Sequence, residues 1–219
     1  MKSLYNPDSP VMQFLTKVAD LMILNVVYLV FCIPIFTIGA ATTALYRVML
    51  NYEKDETANP ARQFWRAFRA NLKPATILFL IMLIPIAFMI YYFMVIVGAA
   101  YSGSKAFVII CCVAVLLIMM LWSFLWPMRA QFENSIGNTI KNALLLSVGH
   151  FPIAVLMSAI NLFPLLLLSF FPDVFLRISM LWILFGFALI AKINTKMILK
   201  VFKPFLQAAD AEDTEIADE

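Results

Sequence analysis

Residues 74–104 read PATILFLIMLIPIAFMIYYFMVIVGAAYSGS, thirty-one residues without a charge. A helix needs about 20 apolar residues to cross a hydrocarbon core of about 30 Å, so this stretch alone can span a bilayer. It has company. Charge-free runs also cover 21–46, 106–128, 142–172 and 178–191, and the five together take up more than half of the 219 residues. Of the whole chain 63% is hydrophobic and 13% is charged, with a mean hydropathy of +0.92. A water-soluble globule this apolar could not cover its own surface with polar groups, and neither a disordered chain nor a disulfide scaffold has this composition. Only helices and closed barrels satisfy the backbone in lipid, and no ten-residue alternation marks a barrel strand. The sequence predicts an all-α, polytopic membrane protein.

Working outward from 74–104, membrane-spanning helices are predicted at about 18–37, 75–97, 106–127, 144–170 and 174–191. The last is long enough to cross if Arg177 lies at the boundary and snorkels. The N-terminal stretch does not read as a cleavable signal, because Lys17 and Asp20 interrupt its apolar build-up. Five spans would leave Lys2, Lys17, Lys105 and Arg177 on one side and the remaining twelve lysines and arginines on the other. The positive-inside rule then predicts the N-terminus outside and the C-terminus inside. Segment 38–50 is a candidate re-entrant piece, entering the bilayer and returning to the same side. Residues 1–206 form one transmembrane domain on this reading. Residues 207–219, QAADAEDTEIADE, carry six acids and no base and are expected to be disordered.

The long loop before the second span holds PARQFWRAFRANLK at 60–73, opened by Asn59-Pro60 as a helix start. Arg62, Arg66, Arg69 and Lys73 fall on one helical stripe, and Ala61, Phe64, Trp65, Phe68 and Leu72 on the next. Such a helix lies in the membrane interface, with aromatics in the acyl boundary and cations on lipid phosphates, or it docks a partner. The stripe is short and sits beside lipid, so no nucleic-acid partner is expected.

Chemistry is sparse. No Gly-rich phosphate loop, GxSxG or HExxH occurs, and no pair of carboxylates sits mid-span. Lone His150 beside Pro152 reads as a boundary residue. Cys32, Cys111 and Cys112 read as buried thiols. No catalytic residue, metal site or cofactor is expected, and the chain is not expected to be an enzyme. The polar groups left within spans are Asn25, Ser123, Ser158 and Asn161, which tie helices together or line a path for an uncharged solute. Trp122 and Trp126 read as part of the aromatic belt at the inner boundary.

At 31–46 the chain reads FCIPIFTIGAATTALY. This resembles the signature of the YesL family of small bacterial membrane proteins, whose first span ends in Cys-x-Pro-x-x-Thr-x-Gly-Ala. Cys32, Pro34, Thr37, Gly39, Ala40, Thr43, Ala44 and Tyr46 carry the match, with Phe64, Phe68, Asn71 and Lys73 resembling the basic aromatic segment that follows. Such proteins are often encoded beside carbohydrate-uptake ABC transporters and polysaccharide-degrading enzymes in Gram-positive bacteria. The resemblance therefore implies an accessory subunit in the bacterial cytoplasmic membrane that packs against permease subunits, with carbohydrate as the cargo. The contact would use Pro34, Thr37, Gly39, Thr43 and Tyr46 together with Arg62, Phe64, Trp65, Arg66, Phe68, Arg69, Asn71 and Lys73. Neither inside loop carries an EAA-type coupling motif, so the chain does not read as a conventional permease itself. The rivals are a self-contained carrier or channel for an uncharged solute, lined by Asn25, Ser158 and Asn161, and a membrane assembly or sensory protein.

Overall fold

Ser9 and Pro10 start the first helix as local chemistry dictates. The Ser9 side chain accepts from the Met12 N–H at 3.2 Å, and Pro10 fills the first turn, where a missing N–H costs nothing. A computed structural model describes residues 9–53, 59–98 and 105–218. Lys2, Lys54 and residues 99–104 lie outside the described residues. Among the described residues eight α-helices follow in order: α1 Pro10–Cys32, α2 Ile38–Tyr52, α3 Pro60–Gly98, α4 Lys105–Gln131, α5 Ile136–Gly149, α6 Phe151–Phe170, α7 Pro172–Leu181 and α8 Phe187–Asp218. A 3-10 turn at Ile35–Thr37 joins α1 to α2, and a π-helical turn at Trp182–Gly186 joins α7 to α8. No strand occurs among the described residues, and five stretches are long and apolar enough to cross a membrane: Pro10–Cys32, Pro60–Tyr91, Ile109–Gln131, Phe151–Phe170 and Pro172–Gln207. The all-α, polytopic reading holds.

Several boundaries differ from the sequence reading, each for a local reason. The first span ends at Cys32 rather than 37, because Pro34 disfavours helix in the residue before it. Its turn is closed by the Thr37 hydroxyl, 2.6 Å from the carbonyls of both Phe31 and Pro34. Pro74 does not separate the 60–73 segment from the second span. It removes one ladder bond and leaves a single 39-residue α3. The expected span over 144–170 is instead two helices. His150 adopts φ −115° and ψ 48°, Pro152 cannot donate to the preceding turn, and only α6 is left to cross. Finally, α8 continues through the acidic segment to Asp218, where disorder was expected. Its Ala, Gln and Glu residues extend a helix already nucleated upstream.

The hub of the bundle is α2. Tyr52 donates to the Asp20 carboxylate, and Tyr28 lies 3.3 Å from the Thr42 hydroxyl, so α1 and α2 form an antiparallel hairpin. Asn51 donates to Gln63 at 3.1 Å while Gly39 sits against Ala75 and Phe79, so α3 runs antiparallel to α2 as well. Arg47 donates to the Ala130 carbonyl at 2.8 Å, which places the end of α4 at the same level. The Phe132–Phe202 ring contact brings α8 down to it too.

One end of the molecule therefore collects the start of α1, the end of α2, the start of α3 and the end of α4. Lys17, Arg47, Arg62, Arg66, Arg69, Lys73 and Arg129 gather there. Lys141 lies on α5 nearby, and Lys192, Lys196, Lys200 and Lys203 are spaced along the stretch of α8 that descends to it. Lys105 and Arg177 lie toward the other end. This corrects one expectation. The sequence places Lys17 opposite the basic loops, whereas the hairpin returns α2 to the end from which α1 starts and puts them together.

Candidate functional site: an aromatic and amide recess inside the bundle

Helices α2, α4, α6 and α8 each contribute side chains at helical spacing, and α1 adds one. Ile38, Thr42, Leu45 and Tyr46 come from α2, Trp122 and Trp126 from α4, Asn161 and Pro164 from α6, and Phe187, Ile190 and Ala191 from α8, with Tyr28 from α1. Together they line a recess of about 220 Å³. Trp122 and Trp126 meet edge to face at 5.0 Å, and Tyr28 tilts onto Phe187 at 5.4 Å.

A polar ladder runs beside it. The Asn194 side-chain amide donates to Tyr46 at 3.0 Å and to the Asn161 carbonyl at 2.9 Å, and Asn161 in turn donates to Ser123 at 2.9 Å. Ser123 and Ser158 each direct their single proton to a carbonyl of their own helix, Met119 at 2.8 Å and Ala154 at 2.7 Å. Neither proton is left for the other, so their 3.4 Å approach is a contact rather than a strong bond. Thr42 likewise donates to the Ile38 carbonyl at 2.7 Å, which makes Tyr28 the donor of their pair.

Asn25 has a different duty. Its amide donates to the Ile183 carbonyl at 2.6 Å and accepts from the Ala188 N–H at 2.8 Å. Ile183 belongs to the π turn and Ala188 follows it, so the Asn25 amide serves two backbone groups where the regular i→i−4 ladder is interrupted. Gly186 completes the turn. A Cβ there would lie 2.6 Å from the Trp182 ring, so only glycine lets that indole fold back across the turn.

Of the residues proposed as solute contacts, the fold thus binds Asn161 into a network with Ser123 and Asn194, leaves Ser158 in contact at its edge, and places Asn25 elsewhere. Of those proposed as partner contacts, Thr37, Gly39, Thr43 and Tyr46 are buried within this chain, facing its own helices, while Pro34 is exposed. Gly39 is buried because the backbone of α3 needs its place. A Cβ would sit 2.5 Å from the Ala75 carbonyl oxygen and 2.8 Å from the Phe79 Cβ. On α3, Phe64 and Phe68 pack on Phe31, with ring centroids 5.6 and 4.7 Å away. Arg62, Trp65, Arg66, Arg69 and Lys73 stay exposed, and Arg69 lies 5.7 Å over the Trp65 ring. Asn71 turns inward to accept from Arg129 at 3.1 Å. At the same end, burial and then the Asp20 carboxylate at its hydroxyl hold the Tyr52 phenol above the usual tyrosine range, so it stays a donor at neutral pH.

Sequence reasoning missed two residues. Asn194 sits between Lys192 and Lys196 and reads as part of a solvated basic helix, yet it is fully buried. Its one signal is position, one turn beyond Ile190 and Ala191 on the recess-facing stripe. Trp126, assigned to the boundary belt, is 1% exposed and belongs to the interior. Among the described residues no three His, Cys, Asp or Glu side chains group as metal ligands would.

The fold and the site define a multi-pass helical membrane protein organised around a short, small-residue hub helix. Residues 21–94, which cover α1 from its fourth turn, all of α2 and most of α3, match a family model described as "Protein of unknown function, DUF624". No curated protein and no solved structure matches the chain.

Proposed function

We propose that the protein is an accessory subunit of a bacterial cytoplasmic membrane that docks a membrane partner through the uncovered face of α3. The partner class is the one the YesL resemblance implies, the permease subunits of a carbohydrate-uptake ABC transporter. The observation that carries the docking surface is the division of labour on α3. Phe64 and Phe68 fix the helix against Phe31, and the same two turns leave Arg62, Trp65, Arg66 and Arg69 uncovered. A rigidly held aromatic–guanidinium face is the composition that protein interfaces favour. The reading assigns no catalysis to the chain. Solubilisation of native membranes in mild detergent tests it. Permease subunits should copurify with the wild-type chain and be lost from Arg62/Arg66/Arg69→Ala, and repeated recovery of the chain without any permease would sink it.

The placement of the basic residues also supports an orientation. In place of an outside N-terminus, the start of α1 and the end of α8 both face the cytoplasm, with α2 a short return segment and only Lys105 and Arg177, among the described bases, toward the outside. Thr16→Cys in a chain otherwise free of cysteine should react with a membrane-impermeant maleimide only after the cells are opened. Labelling of intact cells would restore the outside N-terminus.

A second reading, carriage of an uncharged solute by this chain alone, is favoured by the network of Asn161, Ser123 and Asn194 beside the recess, with Ser158 in contact with it. Solute flux into proteoliposomes containing only this protein decides for it.

A further inference from the structure

The recess has polar atoms that the protein itself leaves unanswered. Trp126 lines it and is 1% exposed, and its indole N–H has no acceptor. Tyr46 also lines it. That hydroxyl accepts from Asn194, which leaves its own proton unassigned. Behind them the Asn194 carbonyl oxygen is buried without a donor. Buried polar groups are nearly always paired, so the unpaired Trp126 N–H and the unassigned Tyr46 proton on the lining of one recess call for an occupant.

We infer that this recess binds a small uncharged molecule bearing several hydroxyl groups, a polyol or monosaccharide. Four features point there. No Asp, Glu, Lys, Arg or His lines it, so an ion would be buried without a counter-charge. Its lining offers donors on Trp126 and Tyr46 and spare acceptor lone pairs on the Thr42 and Asn161 oxygens, and a hydroxyl is the simple group that answers both. Tyr28, Trp122, Trp126 and Phe187 give the lining aromatic surface suited to the C–H groups of a small ring or chain. The volume of about 220 Å³ is the share of about seven waters at ~30 Å³ each, which suits a molecule between glycerol and a hexose in size. A lipid tail would satisfy the rings but strand the Trp126 and Tyr46 donors. The inference rests on the recess alone: it stands if the docking surface fails, and it stands whether the molecule is held or carried.

Equilibrium dialysis of the purified full-length chain in detergent tests it, with radiolabelled xylitol and glucose as probes and glucuronate as the charged control. The wild type should bind at least one neutral probe saturably and exclude glucuronate. Tyr46→Phe, which keeps the ring and removes the hydroxyl, and Trp126→Phe, which removes the indole N–H and keeps an aromatic ring in a smaller side chain, should each weaken binding about tenfold. Ala191→Leu, which fills the recess, should abolish it. If neither neutral probe binds, if glucuronate binds equally well, or if both donor-free variants bind like the wild type, the inference is wrong. The two phenylalanine variants decide the matter even if the filled chain does not fold.

Discussion

α2 and α7 are both apolar helices of this bundle, and they have opposite fates. In α2, IGAATTALYRVMLNY, the residues Gly39, Ala40, Ala41, Thr43 and Ala44 are all buried. In α7, PDVFLRISML, no residue is. Hydrophobicity does not separate them, because lipid solvates Leu and Phe as well as a protein interior does. Close backbone approach does, and it needs small side chains. The lesson is that burial inside a bilayer is decided by how near two helices can come, not by how apolar they are.

The sharpest way to break this contrast is Gly39→Val. The added branch would collide with the Ala75 carbonyl and Phe79 and push α3 off the hub. Over-packing of this kind costs about 1–3 kcal/mol, occasionally more, and the chain should lose its monodisperse peak in detergent. Val174→Leu on α7 should leave that peak unchanged. If both variants behave alike, the contrast is false. Next in size, Asn25→Leu would strand the Ile183 carbonyl and the Ala188 N–H. It should lower stability by about 2–3 kcal/mol, read as an earlier thermal melt in detergent, unless the π turn anneals into regular helix and moves Trp182.

A smaller effect is expected at the basic end. Tyr52→Phe removes the donor to Asp20 and should cost about 1 kcal/mol. Because this phenol is held above the ordinary tyrosine range, its contribution should be complete below about pH 10 and fade as pH rises further, and a wild-type–variant difference that grows with pH would contradict it. The smallest effect on stability belongs to Arg62/Arg66/Arg69→Ala, where the side chains are exposed and the melt should shift by less than about 0.5 kcal/mol equivalent. Loss of partner recovery without loss of stability would sharpen α3 as a docking face, whereas an early melt would make it part of the scaffold.

The spans were legible because a charge-free run of twenty residues has one physical use in a bilayer. Their ends were less so. Pro34 and Pro152 broke helices where Pro74 did not, and a proline's effect depends on whether neighbouring helices hold the flanking turns. The site was half legible. Asn161 and Ser158 stand out as amides and hydroxyls in apolar surroundings, but Asn194 hides between two lysines, and Trp126 looks like any boundary tryptophan.

Taken alone, the sequence determined the membrane environment, the all-helical backbone and the excess of positive charge, because each follows from composition and from the cost of an unpaired backbone group in lipid. The tertiary structure decided that α2 returns beside α1, that the bases of α1 and α3 share an end, and that Asn25 bonds to a π turn while Asn161 joins Asn194. Those outcomes depend on which helices touch, and hydropathy is blind to that because every apolar face can meet either lipid or another helix at nearly the same cost.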